Sequence, residues 1–123
     1  MFGKKEVVKY MKDKFQAEPE YLWASDPDSA IFRHKSNRKW FCLIMKIGKD
    51  KLGFSSTEKI DVMNVKCEEE LMGDLRKQKG CFPGYHMNKR YWLTVALDGS
   101  VAKDNIIGFI NDSFVLTDKK KKK

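Results

Sequence analysis

A chain of 123 residues with 41% hydrophobic and 34% charged side chains is sized for one domain with its own core, and this composition excludes a disordered chain. Its longest apolar run, Trp40 to Met45, is only strand length, which excludes a membrane-spanning helix. The net charge of +8 is uneven: residues 31–54 hold +6, Lys119–Lys123 hold +5, and the rest is nearly balanced, which excludes a uniformly basic, histone-like chain.

In chain order, residues 5–16 predict a helix, with Val7, Val8, Met11 and Phe15 on one face and Pro19 closing it. Glu20 to Trp23 is a short candidate strand, and Asp26-Pro27-Asp28 is turn chemistry. Ile31–His34 and Lys39–Ile47 predict two strands joined by the polar turn Lys35-Ser36-Asn37-Arg38, a β-hairpin with a basic tip. Ile60–Cys67 predicts a further strand with Met63, Val65 and Cys67 on one face. Glu68-Glu69-Glu70 places negative charge where it suits the start of a second helix, with Leu71, Met72 and Leu75 as its stripe and Gly80 as its cap. Gly73 within that helix suggests close packing.

Cys81 to Arg90 reads as a loop, in which Gly84 supplies an unusual backbone angle. Tyr91–Leu97 reads as a strand, and a last helix follows, capped by Ser100 and buried through Ile106, Ile107, Ile110 and Phe114. Residues 1–118 therefore form one α+β domain, and 119–123 form a disordered lysine tail. The order is α-β-β-β-β-α-β-α, a mainly antiparallel sheet with its helices on one face. If Phe41, Leu43 and Met45 face those helices, alternation turns Trp40, Cys42 and Ile44 away from them. On the same argument Leu93 and Val95 point inward, and Trp92 and Thr94 outward.

Three cysteines, Cys42, Cys67 and Cys81, at wide spacing make neither a disulfide framework nor a zinc site. With no signal core at Met1–Glu6, they place the chain in the cytoplasm. Cys81 and His86 are a candidate nucleophile and base, but their spacing gives no reason to pair them. No metal site or other cofactor is implied, because the carboxylates of the first helix are only Glu6 and Asp13, and Glu68–Glu70 point around a helix rather than toward one ion.

Chemistry is concentrated in the hairpin. Arg33, Lys35, Arg38, Lys39 and Lys46 are suited to phosphates, Asn37 and Arg38 are types that contact base edges, and Lys89 and Arg90 add a second cluster. Trp40 and Trp92 add surfaces for stacking on bases or on a partner. The competing reading makes the hairpin a solvated turn. A second candidate site is the loop from Gly84 to Arg90, where Tyr85, His86 and Asn88 suit an anion or a protein partner.

The block Pro83-Gly84-Tyr85-His86-Met87-Asn88-Lys89 carries the most specific pattern, together with Lys39–Ile44, Val65–Leu71 and Leu97–Val101. These segments resemble the MmcQ/YjbR family of small bacterial proteins, from the first helix to about Leu116. The resemblance implies a CyaY-like α/β sandwich, similar to the bacterial frataxin homologue, and a non-catalytic DNA-binding role, in gene regulation. The expected partner is double-stranded DNA bound by a monomer, with no membrane contact. The family often has His-Trp where this chain has Tyr91-Trp92, and the lysine tail is not part of its pattern.

Overall fold

A computed structural model describes residues 1–118, so the expected lysine tail lies outside the described residues. Helix α1 (Lys4–Phe15) leads into β1 (Ala30–Arg33), β2 (Trp40–Gly48) and β3 (Lys59–Lys66). A short helix α2 (Met72–Leu75), β4 (Cys81–Pro83), β5 (Trp92–Ala96) and helix α3 (Lys103–Thr117) follow. The sheet runs β1-β2-β3-β5-β4, and every neighbouring pair is antiparallel. The class is the expected α+β, but the order is α-β-β-β-α-β-β-α.

Two segments account for the changed order. Glu20 to Trp23 is no strand: Glu20 alone bridges Ile31, and Tyr21, Leu22 and Trp23 are exposed. Cys81–Pro83 is a strand although the sequence reads as loop there. It has only three residues and ends in proline, which reads as a breaker but suits a short edge strand that needs no further donor.

Helix α1 forms as expected. The Glu6 carboxylate accepts from Gly3 N at 2.9 Å, closing the first turn, and this bond holds the carboxyl below its ordinary range. At the other end Gln16 turns left-handed, with φ 54°, and Ala17 N donates to Met11 O at 3.2 Å. Val7 and Met11 are buried against the sheet.

The second helix shrinks to a 3-10 turn, Glu69–Leu71, and the single turn α2. Only Met72 of its stripe is buried, and Leu71 is 50% exposed, so too little packing supports a longer helix. Gly73 packs against nothing: a methyl group there would meet no atom within 4 Å. Ser100 does not cap α3, whose N-cap is Ala102; its hydroxyl donates instead to Asp98 at 2.6 Å.

One core lies between the sheet and the helices, built from Val7, Met11, Phe32, Met63, Val65, Leu93, Val95, Ile106 and Ile110. Ile31, Leu43, Met45, Ile47, Ile60, Val62 and Ala96 form a second layer on the far face, with Trp40, Phe82, Tyr85 and Met87 packed against it. Strand β2 breaks the simple alternation. Phe32 pairs with Cys42 and Arg33 with Trp40, so Phe41 is an inserted residue, a β-bulge. Phe41, Cys42 and Ile44 therefore share the helix side, while Leu43 and Met45 join Trp40 on the far face. The expected inward placement of Leu43 and Met45 is thus reversed by one residue of register.

The bulge also explains how α3 docks. Ser113 is fully buried on a stripe expected to be apolar, and its hydroxyl donates to Phe41 O at 2.6 Å. The Ser113 Oγ also accepts from Lys66 N at 2.8 Å, just past the last β2–β3 pair, Cys42 with Val65. One side chain of α3 thus serves two backbone groups that the sheet leaves over.

Candidate functional site

The hairpin tip is fastened to the end of α3. Asn37 Nδ2 donates to Thr117 O at 2.9 Å, and Asn37 Oδ1 accepts from Lys39 N at 2.8 Å. His34, only 2% exposed, lies 2.7 Å from the Thr117 hydroxyl through Nε2 and 3.5 Å from the Asp118 carboxylate through Nδ1. Its ring rests 4.1 Å from that of Phe114. Burial holds the His34 pKa below its ordinary value, against the opposing pull of Asp118. Ser36 reaches Asp118 at 3.4 Å. Asn37 is thus a structural clamp, with both ends of its amide engaged, rather than a group free to read a base.

Folding redistributes the positive charge. Arg33 pairs with Glu20 at 3.1 Å, Lys46 with Asp61 at 3.0 Å and Lys49 with Glu58 at 3.5 Å. These carboxylates lie outside residues 31–54, so a count along the sequence misses them. Lys51 sits 3.8 Å from Asp50. Among the described residues, no carboxylate lies within 4 Å of Lys35, Arg38 or Lys39. The surviving excess is therefore the hairpin tip itself. Arg38 has the left-handed φ of 66° that the tight turn requires.

Arg33, Lys35 and Arg38 line one open cleft of about 680 Å³ with Lys12 and the acidic Asp13, Glu18 and Glu20. Lys46 belongs to the other end of β2: it faces Asp61, whereas Cys42 faces Val65. Lys89 and Arg90 precede β5 at the same end of the sheet as the tip, two strands across. Arg90 is paired with Glu69 at 3.1 Å, and Arg76 donates to Lys89 O. The eight hairpin and loop residues thus do not form one continuous positive face. Three gather at the tip, Lys89 stands apart, and the others are paired or serve as clamps.

The loop after β4 is held by polar groups buried in the sheet. Tyr85 N donates to Thr94 Oγ1 at 2.8 Å, Thr94 bonds Asn64, and Asn64 Nδ2 reaches Tyr85 O at 3.4 Å. Asn64 and Thr94 are fully buried. Asn88 closes the loop by accepting from Arg90 N at 2.9 Å. The unusual backbone angle expected of Gly84 belongs to His86, with φ 61°. Gly84 answers to a close approach, since a methyl group there would lie 2.7 Å from Trp92 O. The His86 ring lies tilted against that of Tyr85, centres 4.1 Å apart, and both stand on the far face.

Cys81 faces the helix-side core, so the sheet separates it from exposed His86 and no nucleophile–base pair forms. All three thiols are buried, and burial raises them all, Cys81 to about 11 and Cys67 to about 12. Among the described residues, no three His, Cys, Asp or Glu side chains are grouped to hold a metal, and no helix is long and apolar enough to cross a membrane.

Fold and site together define a small α+β sheet domain whose basic hairpin is clamped to its last helix. The chain belongs to the YjbR family, whose model matches residues 12–116. It is 37% identical over 117 residues to the uncharacterised protein YyaQ of Bacillus subtilis, covering 95% of this chain and 99% of that one. A crystal structure of a Pseudomonas syringae protein is 40% identical and superposes with a TM-score of 0.90, over 93% of this chain and 97% of that one. A more distant crystal structure, from Deinococcus radiodurans, shares the fold at 21% identity and a TM-score of 0.70, over 94% of this chain and 78% of that one.

Proposed function

We infer that this protein is a non-catalytic module that holds duplex DNA by its phosphate backbone, at the pole where the hairpin tip meets the end of α3. One observation carries the reading. At the tip, Lys35, Arg38 and Lys39 carry no carboxylate partner among the described residues, and the end of α3 is fixed beside them, with Asp118 against His34 and Ser36 of the same hairpin. Clustered cations of this kind bind a polyanion by releasing its counterions, without needing base contacts. Asn37 positions the tip, and Lys89, two strands away, stands outside the patch.

The test is anisotropy of a labelled 20-base-pair duplex in the protein lacking residues 119–123. Replacing Lys35, Arg38 and Lys39 together by alanine should weaken binding about 10-fold or more at low salt, given the number of phosphates they can neutralise. Equal affinity of the parent and the triple variant would defeat the reading.

A further inference from the structure

On the far face of the sheet, a pocket of about 470 Å³ opens between the turn after Trp23, strand β2 and the loop after β4. Its apolar walls include Trp23, Trp40, Met45 and Met87, and its polar lining is Asp26 and His86 with the hydroxyls of Ser25 and Ser29. The volume is typical of a small-molecule site. We propose that this pocket binds a small organic cation with an apolar body, of the alkylated-ammonium class.

The two indoles meet nearly at right angles, with ring centres 6.0 Å apart and planes at 83°, so they form a corner rather than a stack. A cation with methyl groups is attracted to such faces through the negative charge of the ring systems, and the thioethers of Met45 and Met87 give it polarisable, uncharged contact. Asp26 supplies the countercharge. Its backbone N donates to Trp23 O at 3.1 Å, which holds the two residues in one turn, and its Oδ2 accepts from Ser29 at 2.5 Å. Among the described residues, no lysine, arginine or histidine pairs with Asp26, and no lysine or arginine lines the pocket. An anion would meet a carboxylate there with no cation to offset it.

The opposite wall is rigid. His86 holds its left-handed φ of 61° because Tyr85, beside it, is bonded at both its N and its O to Thr94 and Asn64 inside the sheet. Strain of this kind persists only where the surroundings fix it, and here it fixes the rim of the pocket. The bulge at Phe41 completes the site by turning Trp40 toward it.

Three probes of one shape and different charge test the proposal: choline, the neutral 3,3-dimethylbutan-1-ol and the anionic 3,3-dimethylbutanoate. The Trp92→Phe protein reports through Trp23 and Trp40 fluorescence, with binding confirmed by NMR shifts at Met45 and Met87. Choline should bind saturably, the alcohol more weakly, and the carboxylate most weakly. Asp26→Asn should lower the affinity for choline about 5-fold and leave that for the alcohol unchanged. Trp23→Ala, at a partly exposed position that the core does not need, should abolish binding in a folded protein. An affinity for the alcohol or the carboxylate equal to or higher than that for choline, indifference to Asp26→Asn, or no saturation by choline would each overturn the proposal. DNA affinity of the hairpin tip is a separate readout and decides nothing here.

Discussion

Replacing Ser113 by alanine removes a single oxygen, yet that oxygen serves two buried backbone groups. It donates to Phe41 O at 2.6 Å and accepts from Lys66 N at 2.8 Å, with no exposed surface of its own. Alanine cannot replace either bond, and the close packing of α3 on β2 and β3 leaves both groups away from solvent. Each buried group left without a partner costs about 1–3 kcal/mol, so the loss for the two should be about 2–6 kcal/mol. That is a large fraction of the ~5–15 kcal/mol that holds a domain together. At about 4 °C per kcal/mol for a domain of this size, the melting point should fall by about 8–24 °C. Urea unfolding gives the free energy, and hydrogen exchange at Lys66 reads the bond directly: its amide should lose protection. Ser100→Ala, which removes an exposed hydroxyl bonded only to Asp98, is the control. A loss below about 1 kcal/mol with Lys66 still protected would refute the account of how α3 is docked.

The pH dependence of stability follows from His34, whose pKa is lowered by burial. The folded state binds its proton less readily than the unfolded state, so stability is full above about pH 6.5 and declines below it, by at most about 1.4 kcal/mol per pH unit, until the folded-state pKa is passed. His34→Gln should flatten that decline in denaturant titrations between pH 7 and 5. The glycines separate cleanly: Gly73→Ala should stabilise by up to about 1 kcal/mol, while Gly84→Ala, whose new methyl group meets Trp92 O, should destabilise by about 1–3 kcal/mol in thermal melts. A thiol reagent at pH 8 should label none of the three buried cysteines in the native protein and all of them in denaturant. The logarithmic salt slope of duplex binding should be steeper in the full chain, up to about −7 for eight phosphates, than the about −2.7 left to three when residues 119–123 are removed.

The sheet was legible where side chains obey a simple period. Met63, Val65 and Cys67 fall on one face as their spacing requires, and so do Val7 and Met11 of α1. The period failed at Phe41, because a bulge inserts a residue without leaving any mark in the hydrophobic pattern. It failed again at Ser113 and Thr117, whose hydroxyls are buried because the backbone of β2, the end of β3 and His34 need them, which is a tertiary demand. The candidate hairpin residues were found by charge, but charge along the chain is blind to pairing across it. Glu20, Glu58 and Asp61 come from other segments to meet Arg33, Lys49 and Lys46, and only the fold shows that the tip keeps its excess. Likewise Asp26, in a turn, and His86, in a loop, carry no pattern that joins them. Trp23 and Trp40 stand on the same face only because β2 changes register between them and the core.

That change of register has a mutational consequence. The inserted Phe41 is a phase shift within one strand: on one side of it odd-numbered residues face the pocket, and on the other the even-numbered Trp40 does. No substitution at Trp40 or Phe41 restores the uninterrupted alternation. Deleting Phe41 does, and because Trp40 then directly precedes Cys42 it leaves the indole on the pocket face and removes one ring from the core. The extra residue therefore serves the core rather than the pocket, and a relative without it should keep the tryptophan wall while packing less aromatic volume under the last helix.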